Sequence, residues 1–292
     1  MTVKKVVIPA AGMGTRFLPA TKAIPKEMLP LVDKPVIQEV VEEAVRSGIS
    51  EIVLVTGMGK GAIEDHFDIS TDLEGFLASK GQEELLKMVR EVSRMVDIIS
   101  VRQKEPRGLG HAVHCAKAAV GDEPFAVMLG DDVVDSQVPC LAQLLKVFTK
   151  YKSTVVALEL VSDSDVDKYG IVEGEEVEPG IVKIKNLIEK PPIEEAPSNM
   201  AVIGRYILTP QIFSAIEGLA PDGRGEIQLT NALQDIANSG EVYGVVFEGT
   251  RYDAGNRFGF LVANIIYALK DEELGPQLRE YLKDLVALWS DR

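Results

Sequence analysis

Arg16, Lys22 and Lys26 crowd into one short stretch of a chain in which 45 acidic residues outnumber 31 Lys and Arg. The stretch opens Pro9-Ala-Ala-Gly-Met-Gly-Thr-Arg16 and resumes at Pro25-Lys-Glu-Met-Leu-Pro30. Small residues let backbone close around a phosphate chain, and fixed cations supply the charge that a polyphosphate demands. The apolar run Val6-Val-Ile8 precedes it, so it reads as a loop at the carboxyl end of a first strand, where open α/β sheets bind ligands. Two familiar glycine loops are excluded. A dinucleotide fingerprint needs a third glycine where Phe17 stands, and a P-loop needs a lysine where Thr15 follows Gly14. A plain tight turn accounts for the glycines but not for the cations.

Carboxylates stand where such a loop needs a counterpart. The apolar run 125–129 leads into Gly130-Asp131-Asp132, and hard oxygen donors there suit Mg²⁺, which binds through one or two carboxylates plus substrate phosphates. A simple turn after a strand competes evenly when the motif is taken alone. Beside the cationic loop, the metal reading is preferred. Asp253, in Arg251-Tyr-Asp-Ala-Gly255, either completes that cation site or caps a helix starting near Asn256, with the metal role favoured. Glu189-Lys190 before Pro191 offers acceptors for sugar hydroxyls and a charge for a phosphate, although by itself a surface charge pair is the better reading. Gln103, near Gly108-Leu-Gly-His111, can meet a base edge with donor and acceptor together, against the plainer reading of a helix start. Thr56-Gly-Met-Gly-Lys-Gly61 matches no phosphate loop and reads as a β–α connection. His66, His111 and His114 show no zinc spacing, and no Ser-His-Asp or Cys-His set is apparent.

The elements that must position these groups alternate through the first half. Strands are expected near 3–8, 52–55, 97–101, 125–129 and 154–161. Helices are expected near 36–45, 62–67, 73–95, 110–120 and 141–151. Pro35 opens the first of these helices and Gly48 lies just past its end. This order predicts a mostly parallel sheet with helices on both faces. Beyond it, strands near 169–173, 181–184, 200–207 and 242–247 and helices near 211–217 and 226–239 form a less regular second half. Leu278, Tyr281, Leu282, Leu285, Leu288 and Trp289 recur at helical spacing, most simply as core packing and less so as an oligomer contact. One α/β domain over 1–292 is expected, with a nucleotide half (about 1–135), a sugar-phosphate half (about 136–270) and a C-terminal helix (271–292).

The formal charge of −14 argues against nucleic acid or an anionic membrane as partner, and local basic clusters on an acidic body are expected at a site. Cys115 and Cys140 read as small buried hydrophobes in a reducing compartment. With no apolar leader or span, the chain is expected to be cytoplasmic.

Taken together, the stretches Ala10–Arg16, 20–30, Gly108-Leu-Gly-His-Ala112, Gly130-Asp-Asp132, Glu189-Lys-Pro191, Gly204-Arg-Tyr206, Gly225-Glu-Ile-Gln-Leu-Thr230 and Tyr252-Asp-Ala-Gly255 resemble the bacterial UTP–glucose-1-phosphate uridylyltransferase family. They occur in order over about residues 3–270. The resemblance implies a Rossmann-like α/β nucleotidyltransferase fold with a mostly parallel mixed central sheet. It also implies Mg²⁺, a homodimer or homotetramer, and conversion of UTP and glucose 1-phosphate to UDP-glucose and pyrophosphate. Position by position, Ala10, Ala11 and Gly12 would line the nucleotide, with Gly14 and Glu27 also on the substrate side. Arg16 and Lys26 would face the triphosphate, Gln103 and Gly108 the uracil, and Asp131 and Asp253 the metal. Gly170 and Glu189 would meet the sugar hydroxyls and Lys190 the sugar phosphate. The competing readings are a thymidylyltransferase making dTDP-glucose and a non-catalytic nucleotide-sugar sensor on the same scaffold.

Overall fold

The computed structural model describes residues 2–290. Strand β1 (Lys5–Ala10) leads through short 3-10 turns to a small hairpin, β2 (Pro30–Leu31) and β3 (Lys34–Pro35). Helix α1 (Val36–Arg46) returns the chain to β4 (Glu51–Thr56). Helices α2 (Gly61–Phe67), α3 (Thr71–Ser79) and α4 (Glu83–Ser93) precede β5 (Asp97–Arg102), and α5 (Gly108–Cys115) and α6 (Lys117–Val120) precede β6 (Phe125–Met128). Then come β7 (Asp132–Asp135), α7 (Cys140–Tyr151) and β8 (Thr154–Leu160), followed by β9 (Gly170–Glu178), β10 (Ile181–Glu189) and β11 (Met200–Leu208). The chain closes with α8 (Gln211–Glu217), α9 (Leu229–Ser239), β12 (Val242–Val246), β13 (Thr250–Asp253), α10 (Arg257–Lys270) and α11 (Leu274–Ser290).

Among the described residues, nine strands form one sheet in the order β5-β4-β1-β6-β11-β8-β12-β10-β9. The first four are parallel, as their βαβ connections require. Strand β11 then runs antiparallel to both β6 and β8 and also pairs with β9. Parallel pairing resumes between β8 and β12, while β10 is antiparallel to β12 and β9. The expected parallel character thus belongs to the first half, and the sheet as a whole is mixed.

Successive side chains of β1 point to opposite faces, and the two cores divide accordingly. Val6 and Ile8 pack with Val40 of α1 and Leu144 of α7. Val7 packs with Val113 of α5, Ile212 of α8 and Leu233 of α9. Burial on both faces explains why β1, β4 and β6 read as nearly continuous apolar runs rather than alternating ones.

Three expectations need correction. The helical stretch at 73–95 is two helices, broken where Gly81 adopts φ +67°. The helix expected from 226 begins only at Leu229, because Ile227 donates to the Arg107 carbonyl (2.8 Å) and its own carbonyl accepts from Gly110 N (2.9 Å). The third concerns α11, whose apolar stripe is not core. Tyr281 is 63% exposed and Trp289 74%. Residues 291 and 292 of that expected segment lie outside the described residues.

Candidate active site

The carboxyl ends of β1 and β6 are adjacent because the two strands pair, and this brings the first loop to the Gly130-Asp131 turn. Gly14 takes φ +66°, a left-handed backbone that glycine adopts without strain, and its carbonyl accepts from Thr21 Oγ1 at 2.7 Å. Arg16 reaches the Gly255 carbonyl at 3.4 Å, and Arg257 Nε donates to the Arg16 carbonyl at 2.8 Å. The cationic loop is thereby tied to the turn after β13.

Lys26 Nζ lies 2.5 Å from Asp131 Oδ2, both side chains being about four-fifths buried. Burial pushes the Asp131 carboxyl up, but the Lys26 charge and hydrogen bond outweigh it and hold the group below its usual range. For Lys26 burial acts downward, and the charges of Asp131 and Glu27 reverse it, leaving the ammonium above its ordinary value. Both groups are therefore charged at neutral pH.

Asp253 approaches the same point from β13, which pairs with β7 so that Asp253 stands opposite Asp132. Gly255 lies between Asp253 and Asp131. A Cβ there would come within 2.3 Å of Asp131 Oδ2 and 3.0 Å of Asp253 Oδ1. Two carboxylates thus converge across a residue without a side chain, a donor set that suits a hard cation completed by phosphate and water oxygens. The helix-cap alternative for Asp253 is answered locally, since Asn256 caps α10 by accepting from Gly259 N at 2.8 Å. Gly255→Ala is expected to lower kcat by about 10²-fold through displacement of these carboxylates, with the unfolding transition retained. Steady-state rates beside circular dichroism check this.

Asp132 plays a different part from its neighbour. It is buried, accepts from Gly204 N at 2.8 Å and pairs with Arg251 Nε at 2.5 Å. Arg251 also meets Glu159 (3.3 Å) and the Tyr169 hydroxyl (3.1 Å). Arg251 and Asp132 thus bind β13 to β7 and fix where Asp131 and Asp253 emerge.

Gln103 follows β5, with Nε2 donating to the Gly108 carbonyl at 3.2 Å and meeting His111 Nδ1 at 3.0 Å. Gly108 has φ +87°, and a Cβ on it would press within 2.9 Å of the Ile227 carbonyl oxygen. Glu189 ends β10 opposite Gly170 of β9, accepts from Thr230 Oγ1 at 2.6 Å and lies 3.2 Å from Lys190 Nζ. Gly170 leaves room for that pair, because a Cβ would sit 3.0 Å from Thr230 Oγ1.

One cleft of about 470 Å³ draws Ala11, Gly12, Arg16, Lys26, Gln103, Gly108, Asp131, Glu189 and Lys190 together. Ala10, Gly14, Gly170 and Asp253 lie behind or beside its lining rather than on it. Glu27 requires a correction. Expected on the substrate side, it is 1% exposed and pairs at 2.8 Å with the buried Lys60 of the 56–61 connection. Burial pushes its carboxyl above the usual range against the pull of Lys60 and Lys26, and it underlies the loop rather than facing the cleft. Leu129, Glu226 and Gln228 also line the cleft and were assigned no role from the sequence. The stretch 225–230 carried the last two, but nothing local distinguishes them from an ordinary helix approach.

The family profile described as Nucleotidyl transferase matches residues 5–291. The UTP–glucose-1-phosphate uridylyltransferase of Bacillus subtilis (strain 168) is 49% identical over 284 residues, covering 97% of either chain. A UDP-glucose pyrophosphorylase crystallised with UDP-glucose superposes with TM-score 0.86 at 44% identity, over 92% of this chain and 100% of that one. A UTP-bound enzyme of the same name from Acinetobacter baumannii gives TM-score 0.90 at 39% identity, over 97% and 100%. With the fold, the cleft and these likenesses in agreement, the chain belongs to the nucleotidyl transferase family, in its UTP–glucose-1-phosphate uridylyltransferase branch.

Proposed function

We propose that the protein transfers uridylyl from UTP to glucose 1-phosphate, giving UDP-glucose and pyrophosphate. The observation that carries this reading is the gathering of Arg16, Lys26, Asp131 and Lys190 on one cleft together with Gln103. A phosphate oxygen of glucose 1-phosphate attacks the α-phosphorus of UTP, and the bond from that phosphorus to the pyrophosphate oxygen breaks. The attacking oxygen is already ionised near neutral pH, so no general base is required. Catalysis then reduces to in-line positioning and charge neutralisation, as in other phosphoryl-type transfers.

In this reading Ala10, Ala11 and Gly12 give the nucleotide close access to backbone, with Gly14 shaping the turn. Arg16 and Lys26 neutralise the departing pyrophosphate, Gln103 and Gly108 face the uracil, and Glu189, backed by Gly170, accepts from sugar hydroxyls. Asp131 and Asp253 are the residues that would hold Mg²⁺, which when bound offsets phosphate charge. Lys190 holds the attacking phosphate. Its positive φ of 46° and the hydrogen bond from its backbone N to the Tyr169 carbonyl (2.9 Å) fix where its side chain starts. Lys190→Ala is expected to raise KM for glucose 1-phosphate about tenfold or more while KM for UTP stays within about twofold. Equal rises for both substrates would remove that assignment.

Pyrophosphate release across all NTPs and dNTPs with several sugar 1-phosphates tests the whole reading. The largest signal is expected with UTP and glucose 1-phosphate. A larger signal with dTTP would replace uridylyl with thymidylyl transfer, and none with any pair would reduce the protein to a binding function. The reading extends to a cytoplasmic homodimer or homotetramer. Two free cysteines and the exposed apolar face of α11 support those parts of it.

A further inference from the structure

His111 takes no part in the chemistry above, yet it contacts the one side chain assigned to the base. Gln103 Nε2 carries two hydrogens and has two acceptors, the Gly108 carbonyl at 3.2 Å and His111 Nδ1 at 3.0 Å. With both hydrogens taken, the carboxamide has one orientation. Among the described residues nothing donates to its Oε1, while Gln103 itself lines the cleft. A carboxamide that was free to rotate by a half-turn would offer either an acceptor or a donor to a ligand.

We infer that His111 is a positioning residue for base selection: by accepting from Gln103 it turns Oε1 toward the ligand, favouring pyrimidines with a hydrogen on N3 over cytosine. This deepens the reading of the cleft as a UTP site and rests on it. Uracil and thymine present N3–H as a donor, whereas cytosine carries a lone pair at N3 that would face the Gln103 oxygen. A site committed to hydrogen bonding one edge discriminates strongly against a base that lacks the matching group.

For this role the imidazole must keep a lone pair on Nδ1, with its proton on Nε2. Burial lowers the affinity of His111 for a second proton, and the nearby Arg107 and His114 lower it further, against a smaller opposing pull from Glu105. Its Nε2 faces Cys115 Sγ at 3.9 Å, a weak partner that does not compete with the Gln103 contact. Its place on α5, one turn after Gly108, sets the ring beside the glutamine.

The test compares kcat/KM for UTP, CTP and dTTP, with glucose 1-phosphate, in the parent enzyme, His111→Ala and His111→Asn. In His111→Ala the UTP:CTP ratio is expected to fall about threefold or more, because only the 3.2 Å contact to the Gly108 carbonyl then opposes a half-turn of the carboxamide. The UTP:dTTP ratio should hold within about twofold, since both bases share the imide edge. His111→Asn, whose Oδ1 falls near the place of Nδ1, should restore most of the UTP:CTP ratio. A general loosening of the site would instead change all three nucleotides together. A UTP-selective parent whose UTP:CTP ratio is unmoved in His111→Ala overturns the inference alone. A parent that releases pyrophosphate from no nucleotide overturns the uridylyl reading and this inference with it. Should His111→Ala be too unstable to assay, His111→Leu, nearer in volume and equally unable to accept, carries the same expectations.

Discussion

Asp131→Ala is expected to lower kcat by about 10³-fold or more while leaving the folded state intact. The carboxylate sits where three functions meet. It is 2.5 Å from Lys26 Nζ, it flanks the cradle at Gly255 with Asp253, and it lines the cleft that holds Arg16 and Lys190. Removing it deletes one of the two proposed cation ligands and frees Lys26 to swing away from the position its ion pair gives it. These losses are not independent, so their product overstates the effect, and about 10³ is a floor for the combined change rather than a sum of parts. The fold should survive because Asp131 is a turn residue at the rim, and the nearby Glu27 carboxylate still compensates the Lys26 charge. Asp131→Asn sharpens the test, since it keeps shape and a hydrogen-bonding oxygen but not the charge. If either variant turns over at near-parent rates with saturating Mg²⁺, Asp131 has no place in the reaction.

The largest expected effect on stability lies away from the cleft, at Glu43. Arg205 of β11 is 0% exposed and Glu43 of α1 is 2% exposed. Arg205 Nε meets both Glu43 oxygens (3.2 and 3.1 Å), and Nη2 meets Oε2 at 2.7 Å. Two further guanidinium hydrogens go to the carbonyls of Gly204 (3.0 Å) and Asp132 (2.7 Å), while Glu43 also accepts from Leu141 N at 3.0 Å. Glu43→Ala leaves a guanidinium stranded in a dry interior and is expected to cost about 3–5 kcal/mol in urea or thermal unfolding. The double replacement Glu43→Leu with Arg205→Met, which removes both charges, should cost much less than Glu43→Ala alone. A single-variant loss below about 1 kcal/mol would mean that water or a neighbouring carboxylate takes over the pairing.

Local chemistry was readable wherever one stretch carried its own reason. The cations and small residues of 9–30 mark a loop that lines the cleft through Gly12, Arg16 and Lys26, and helix α1 is bounded by Pro35 and Gly48 as the asymmetry of helix ends requires. Lys190 illustrates the opposite case. Beside Pro191 it resembled any surface ion pair, and only the β9–β10 pairing and Thr230 draw Glu189 into a site. The small β7–β13 ladder was missed because its pairing spans more than a hundred residues and each strand is flanked by acids that look like turn formers. Glu27 was misread for a related reason, since burial of a carboxylate depends on a distant cation, and Lys60 gave no sign from its own glycine-rich neighbourhood that it would be that cation. The α11 stripe shows that helical periodicity reports a face but not what covers it.

Strand β11 pairs with β8 on one side and, on the other, with β6 along Arg205–Leu208 and with β9 at Ala201 and Val202. The half proposed to hold the nucleotide and the half proposed to hold the sugar phosphate therefore share one hydrogen-bonded sheet, with no break between them among the described residues. Admission of reactants and escape of products must be left to the connecting segments at the rim, such as the one bearing Gly14 and Arg16, while the floor beneath them stays rigid.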